Sequence, residues 1–151
     1  MKIAITIEIN ETDSAFNNLS DVERLSIDIA FNKYKFDILK DKQEKRLEYI
    51  ATEISLHSND VLVGNTCYNL KEVLYLNNEL QKHNLSINTV YVPSEERIEA
   101  RKNEAMVNVR LHSRWVGSSE EEVEKNFENF RATIQEIKNG LSKTAIEFKR
   151  V

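Results

Sequence analysis

Arg97, Arg101 and Lys102 line the first turns of a segment opened by Pro93-Ser94, and Arg110, His112 and Arg114 alternate a few residues further on. Between positions 97 and 115, five Lys/Arg stand against two carboxylates. The balance then reverses, with Glu120, Glu121, Glu122, Glu124 and Glu128 against Lys125 alone. Arginine's planar fork suits phosphate and carboxylate groups, and Trp115 or Tyr91 can add a stacking surface. Two chemistries follow: binding of an anionic ligand, or pairing of these arginines with the neighbouring acidic segment, within or between subunits. Were the site catalytic, His112 is the side chain suited to acid–base work, its reference pKa being about 6.5.

Two loops offer further candidates. In Gly64-Asn65-Thr66-Cys67-Tyr68-Asn69, Gly64 permits close approach to the backbone, while Asn65, Thr66 and the amides of the next helix can hold an anion. Cys67 lies near that helix start, where a thiolate is favoured. No histidine among His57, His83 and His112 has motif spacing to it, so the plainer reading is a small, partly buried thiol in a turn. The other loop carries Glu8, Glu11 and Asp13. Three carboxylates can hold Mg²⁺, but solvated loop acids are far commoner, and no metal site is assigned. One cysteine and three scattered histidines leave no zinc motif and no disulfide framework.

The order of a strand, Pro93-Ser94, a helix bearing Arg97 and Arg101, and then further arginines resembles the arginine-bearing lid of P-loop phosphotransferases. The resemblance stops there. No G-x-x-x-x-G-K-[ST] occurs, and residues 8–20 contain no glycine, so ATP-dependent phosphotransfer by that mechanism is not expected and no family is assigned.

The elements that position these residues alternate. Ile3, Ile5, Ile7 and Ile9 share one face of a first strand, with Ala4, Thr6 and Glu8 on the other, which suggests a sheet packed mainly on one side. After a polar stretch over residues 10–19, Ser20 and Glu23 have capping-box spacing before a stripe of Val22, Leu25 and Ile29. Residues 34–39 are read as a strand, with a helix as the alternative. Asp41 and Glu44 open a helix carrying Leu47, Ile50, Ala51 and Ile54. Val61-Leu62-Val63-Gly64 reads as a central strand, and Asn69 and Glu72 cap a helix bearing Val73, Leu76 and Leu80. Residues 85–92 form a further strand with Ile87 and Val90 inward. Met106–Val116 is read as a strand rather than a continued helix, because Val107, Val109, Leu111 and Trp115 alternate with Asn108, Arg110, His112 and Arg114. A helix over 119–139 follows, capped by Ser118 or Ser119, striped by Val123, Phe127, Phe130, Ile134, Ile137 and Leu141, and stopped at Asn139-Gly140. Its stripe is core, with a homodimer interface as a further use. Residues 144–148 are a last strand, placed at an edge by the charges beside it.

About six strands and five helices in alternation predict a single α/β domain over residues 1–151 with a mostly parallel sheet; two-layer α+β is the alternative. The 151 residues carry a net charge of −4, with only three glycines and one proline, which excludes linker-rich and collagen-like chains. No membrane span or signal peptide is apparent, so a cytoplasmic protein is expected. The acidic balance does not favour nucleic acid. The expected function is a binding or regulatory domain, without a cofactor and as a homo-oligomer. It would recognise a phosphate-bearing, nucleotide-like ligand through Arg97, Arg101, Arg110, His112, Arg114, Asn65 and Thr66. An interaction module and a small enzyme acting on a phosphorylated substrate are the alternatives.

Overall fold

The computed structural model describes residues 1–8, 42–64, 66–116 and 119–151, with the backbone alone for 112–116. The Ser20/Glu23 helix, the strand at 34–39, Glu11, Asp13, Asp41, Asn65 and Ser118 lie outside the described residues. In chain order the elements are β1 (Ile3–Thr6), α1 (Gln43–Ser55), β2 (Val61–Val63), α2 (Leu70–Gln81), β3 (Thr89–Val92), α3 (Glu95–Val116), α4 (Glu120–Leu141) and β4 (Glu147–Arg150).

The four strands form one sheet in the order β2-β1-β3-β4, and every pairing is parallel. This is the expected α/β domain: each parallel step needs a crossover, and helices supply it. Register puts Ile3 beside Val61, Ile5 beside Val63 and Val90, and Val90 beside Phe148. These residues share one sheet face, and with the buried residues of all four helices they make one apolar cluster. The opposite face carries Ala4, Leu62 and Tyr91 in a small second cluster. Among the described strands, Val61–Val63 and β4 stand at the two ends of the sheet and β1 is bonded on both sides; β4 takes Lys149 and Arg150 into the strand itself.

Helix starts follow local chemistry. Asn69 caps α2 by accepting from the Glu72 amide at 2.9 Å, and Ser119 caps α4 by accepting from the Glu122 amide at 3.2 Å. The stripe of α4 is core: Val123, Phe127, Ile134, Ile137 and Leu141 are buried and the partly buried Phe130 packs against the same cluster. α4 does not stop at Gly140. It runs one residue on, and Gly140 is instead the point where the Leu70 side chain of α2 presses on the helix.

The strand expected at 106–116 is the main correction, since these residues complete α3. No glycine or proline interrupts the chain between Ser94 and Val116, and Arg101–Met106 contains good helix formers, so nothing ends the helix. The helical spacing of Ile98, Ala105 and Val109 wins over the alternation. Ile98 and Val109 are buried, while Val107 and Leu111 are 49 % and 70 % exposed. Among the described residues no helix is long and apolar enough to cross a membrane.

Candidate functional site

In an open parallel sheet, ligands seat outside the carboxyl ends of strands where the strand order reverses direction. Here the chain steps from β1 to β2 on one side and then to β3 on the other, so that point lies between β1 and β3. The residues leaving the three strand ends are Thr6 and Glu8 after β1, Gly64 and Thr66 after β2, and Ser94 and Arg97 after β3.

Thr6 and Glu8 lie two apart and share the sheet face that carries Ala4. Gly64 continues β2 beside them. A Cβ on Gly64 would stand 3.1 Å from Thr6 Oγ1 and 3.2 Å from a Glu8 carboxylate oxygen, so glycine keeps this space open. The Thr6 and Thr66 side chains are buried, at 2 % and 1 % exposed, and neither Oγ1 has a hydrogen-bond partner. A buried hydroxyl without a partner costs free energy, and an absent water, ion or ligand is the usual reason that it survives.

Hydrogen bonds tie several described groups of the β2–α2 loop to one another. Gln43 Nε2 donates to the Thr66 carbonyl at 2.7 Å and to Glu72 Oε2 at 2.6 Å. The same Glu72 oxygen accepts the Tyr68 amide at 3.2 Å, and Asn69 Nδ2 donates to Glu72 Oε1. Of the amides near the start of α2, that of Tyr68 is answered by the Glu72 carboxylate and that of Glu72 by the Asn69 side chain. Cys67 is buried, and that burial, with the Glu72 charge beside it, pushes its thiol well above the ordinary range.

The arginines do not gather on one face. As part of α3, Arg110 and Arg114 sit one turn apart and His112 is rotated away from both, so the expected row dissolves. The side chains of His112 and Arg114 lie outside what is described. Arg101 pairs with Glu104 at 3.2 Å, and Arg110 with Glu120 of α4 at 2.5 Å. Lys102–Glu124 at 2.6 Å and Arg131 to both Glu95 and Glu99 at 2.6 Å stitch α3 to α4 in the same way. Of the expected ligand residues, Arg97 and Thr66 follow the carboxyl ends of β3 and β2, the strands flanking β1, which lie two inter-strand spacings or about 10 Å apart. Glu8 and Gly64, read from the sequence in two separate loops, come together beside Thr6, which the sequence marks only by the alternation that puts it and Glu8 on the face opposite the isoleucines.

Farther down that second face, a groove of about 540 Å³ is lined by Lys2, Asp60, Thr89, Tyr91, Glu147 and Lys149, with charges of both signs. Among the described residues no three His, Cys, Asp or Glu side chains converge as a metal cage. No protein-family model, curated protein or solved structure matches the chain.

Proposed function

We propose that this α/β domain binds a small phosphate-bearing ligand at the carboxyl edge of its sheet, in the crevice framed by Thr6, Gly64, Thr66 and Arg97. The observation that carries this reading is the pair of buried hydroxyls, Thr6 and Thr66, left without partners at the carboxyl ends of β1 and β2. Arg97, in the first turn of α3 just after β3, supplies the cation. A span of about 10 Å between the flanking strands suits a diphosphate or a mononucleotide.

A thermal-shift titration with nucleotides, sugar phosphates and inorganic pyrophosphate tests it. A ligand specific to the folded state stabilises by about 2.7 kcal/mol at one hundred times its dissociation constant. The reading requires a hit that weakens in Arg97→Ala and persists in Arg110→Ala, since Arg110 lies far along α3 from the strand ends, where it faces Glu120 of α4. Loss in Arg110→Ala alone would move the site to the helical hairpin. A second reading, an interaction module, is favoured by exposed Val107 and Leu111 one turn apart on α3. It predicts no small-molecule hit at all.

A further inference from the structure

β4 stands at one end of the described sheet, and its hydrogen bonds show which way each residue faces. The amides of Glu147 and Val151 donate to the carbonyls of Asn88 and Val92, each at 2.9 Å, and the Ser94 amide donates to the Val151 carbonyl. Odd-numbered residues of β4 therefore bond to β3. Successive residues of a strand turn their polar groups to opposite sides, so the amides and carbonyls of Phe148 and Arg150 point outward along the edge. β2, at the other end, is three residues long and turns Leu62 alone outward. An edge like that of β4 is a template for another strand, and no described strand pairs with it. Glu147 and Lys149 share one face, in register with Thr89 and Tyr91. Phe148 lies between them on the helix-bearing face, half-buried against the core cluster.

We infer that β4 pairs antiparallel with β4 of a second copy of this chain, about a two-fold axis through Phe148, and joins the two sheets into one. Pairing rules select this register. Residues opposite each other in an antiparallel ladder either both bond across it or both face away, so even-numbered residues meet even-numbered ones. Centring the ladder on Phe148 sets that ring against the partner's Phe148 on the helix-bearing face. On the other face it sets Glu147 against the partner's Lys149, and Lys149 against the partner's Glu147. One pairing step either way centres the ladder on Glu147 or on Lys149 and puts like charges directly opposite, which is destabilising. Charges beside an edge commonly keep other strands off it. Here their order admits one register of one partner. Within a strand Glu147 and Lys149 are 3.5 Å apart with both side chains exposed, a contact worth little, so re-pairing them across the edge forfeits little. A two-fold contact uses the same surface on both copies and closes as a dimer. The pairing does not depend on the ligand reading above.

Sedimentation velocity of the full chain across a concentration series tests it. Wild type should pass from monomer to dimer as concentration rises. Lys149→Glu should weaken the dimer by about tenfold or more, because both symmetry-related pairs become repulsive together. Glu147→Lys should do the same, and the double exchange Glu147→Lys with Lys149→Glu should restore dimerisation. Mixed in equal amounts, the two single variants should form a heterodimer more readily than either pairs with itself. Arg150→Pro removes an outward amide, leaves the bonds to β3 in place, and should abolish the wild-type dimer. A chain that stays monomeric at every concentration, or a dimer indifferent to these substitutions, overturns the inference. Hydrogen exchange on wild type decides the matter if a variant fails to fold. The Phe148 and Arg150 amides must gain protection as concentration rises, whereas that of Glu147, bonded to Asn88, is protected throughout. Dimerisation without that gain would place the interface elsewhere and overturn the inference as well.

Discussion

Two threonine hydroxyls carry the functional reading, and their cost can be measured. Thr6 and Thr66 are almost wholly buried and their Oγ1 atoms have no partner. Valine has the same branched shape and no group to leave unsatisfied, so in the absence of ligand Thr66→Val should raise stability, by about 1–3 kcal/mol. Thr6→Val should do the same inside β1, where β-branched side chains are at home. The same substitutions should weaken the ligand found by thermal shift. Denaturant unfolding of both variants, with and without that ligand, decides the matter. Variants less stable than wild type would mean that the hydroxyls are bonded after all, and the crevice would lose its support. Most substitutions at buried positions destabilise, so a gain at both sites is a demanding outcome.

Between elements, the contact of Gly140 with Leu70 sets the closeness of α4 to α2. Alanine is favoured over glycine inside a helix by about 1 kcal/mol. A Cβ at position 140 would nonetheless run into the Leu70 side chain, whose Cδ1 and Cγ would stand 2.7 Å and 3.1 Å away and Cδ2 nearer still. Gly140→Ala should therefore cost about 1–3 kcal/mol in the wild-type background, as overpacking does. In a Leu70→Ala background the obstruction is gone, and the same change should stabilise. A double-mutant cycle reads the difference directly, and additive effects would refute the contact as the reason for this glycine. The sequence itself shows a glycine near a helix end and suggests a stop signal, because a one-dimensional pattern contains no Leu70 seventy residues earlier. What it does show is whatever is local. The Asn69/Glu72 cap, the Ser119 cap and the stripe of α4 are visible as spacing, and the α/β alternation follows from them. α3 is not visible in the same way, because Val107, Val109 and Leu111 satisfy a strand's period as well as they miss a helix's. Only packing, which buries Val109 and leaves the other two exposed, separates the alternatives. The site divides on the same line. Thr66 and Arg97 stand out by residue type, whereas Thr6, Glu8 and Gly64 become a group only once β2 lies beside β1.

For the whole molecule, β1 is the piece on which the rest is assembled, although it is among the shortest. It bonds to β2 and β3 along its length, with Ile3 beside Val61 and Ala4 beside Thr89. Further bonds extend past both ends of the strand: the Val61 amide donates to the Lys2 carbonyl at 2.8 Å, and the Ile7 amide to the Tyr91 carbonyl at 2.8 Å. Asn88 closes the amino end twice, its side chain accepting from the Ile3 amide and its own amide donating to the Ile3 carbonyl, each at 2.8 Å. Every one of these partners is more than fifty residues away, so forming them closes long loops that no local helix can close in advance. Opening β1 consequently means separating both halves of the sheet. The far half of α3 is the opposite case. Beyond Met106 its described side chains bury only Val109, and its ion pair from Arg110 to Glu120 is exposed on both sides, a kind worth about 0–1 kcal/mol. Native-state hydrogen exchange across a denaturant series should therefore give two classes of amide. Those of Ile5 and Ile7 should exchange only through global unfolding, and those around Val107–Leu111 through local opening at a clearly lower free energy. Ile5→Ala, at a site with no exposure, should lower the first class by about 2–5 kcal/mol and leave the second nearly unchanged. If both regions share one exchange isotherm, α3 is bound into the core more tightly than its burial allows. The hairpin would then have to be treated as part of the sheet's own cooperative unit.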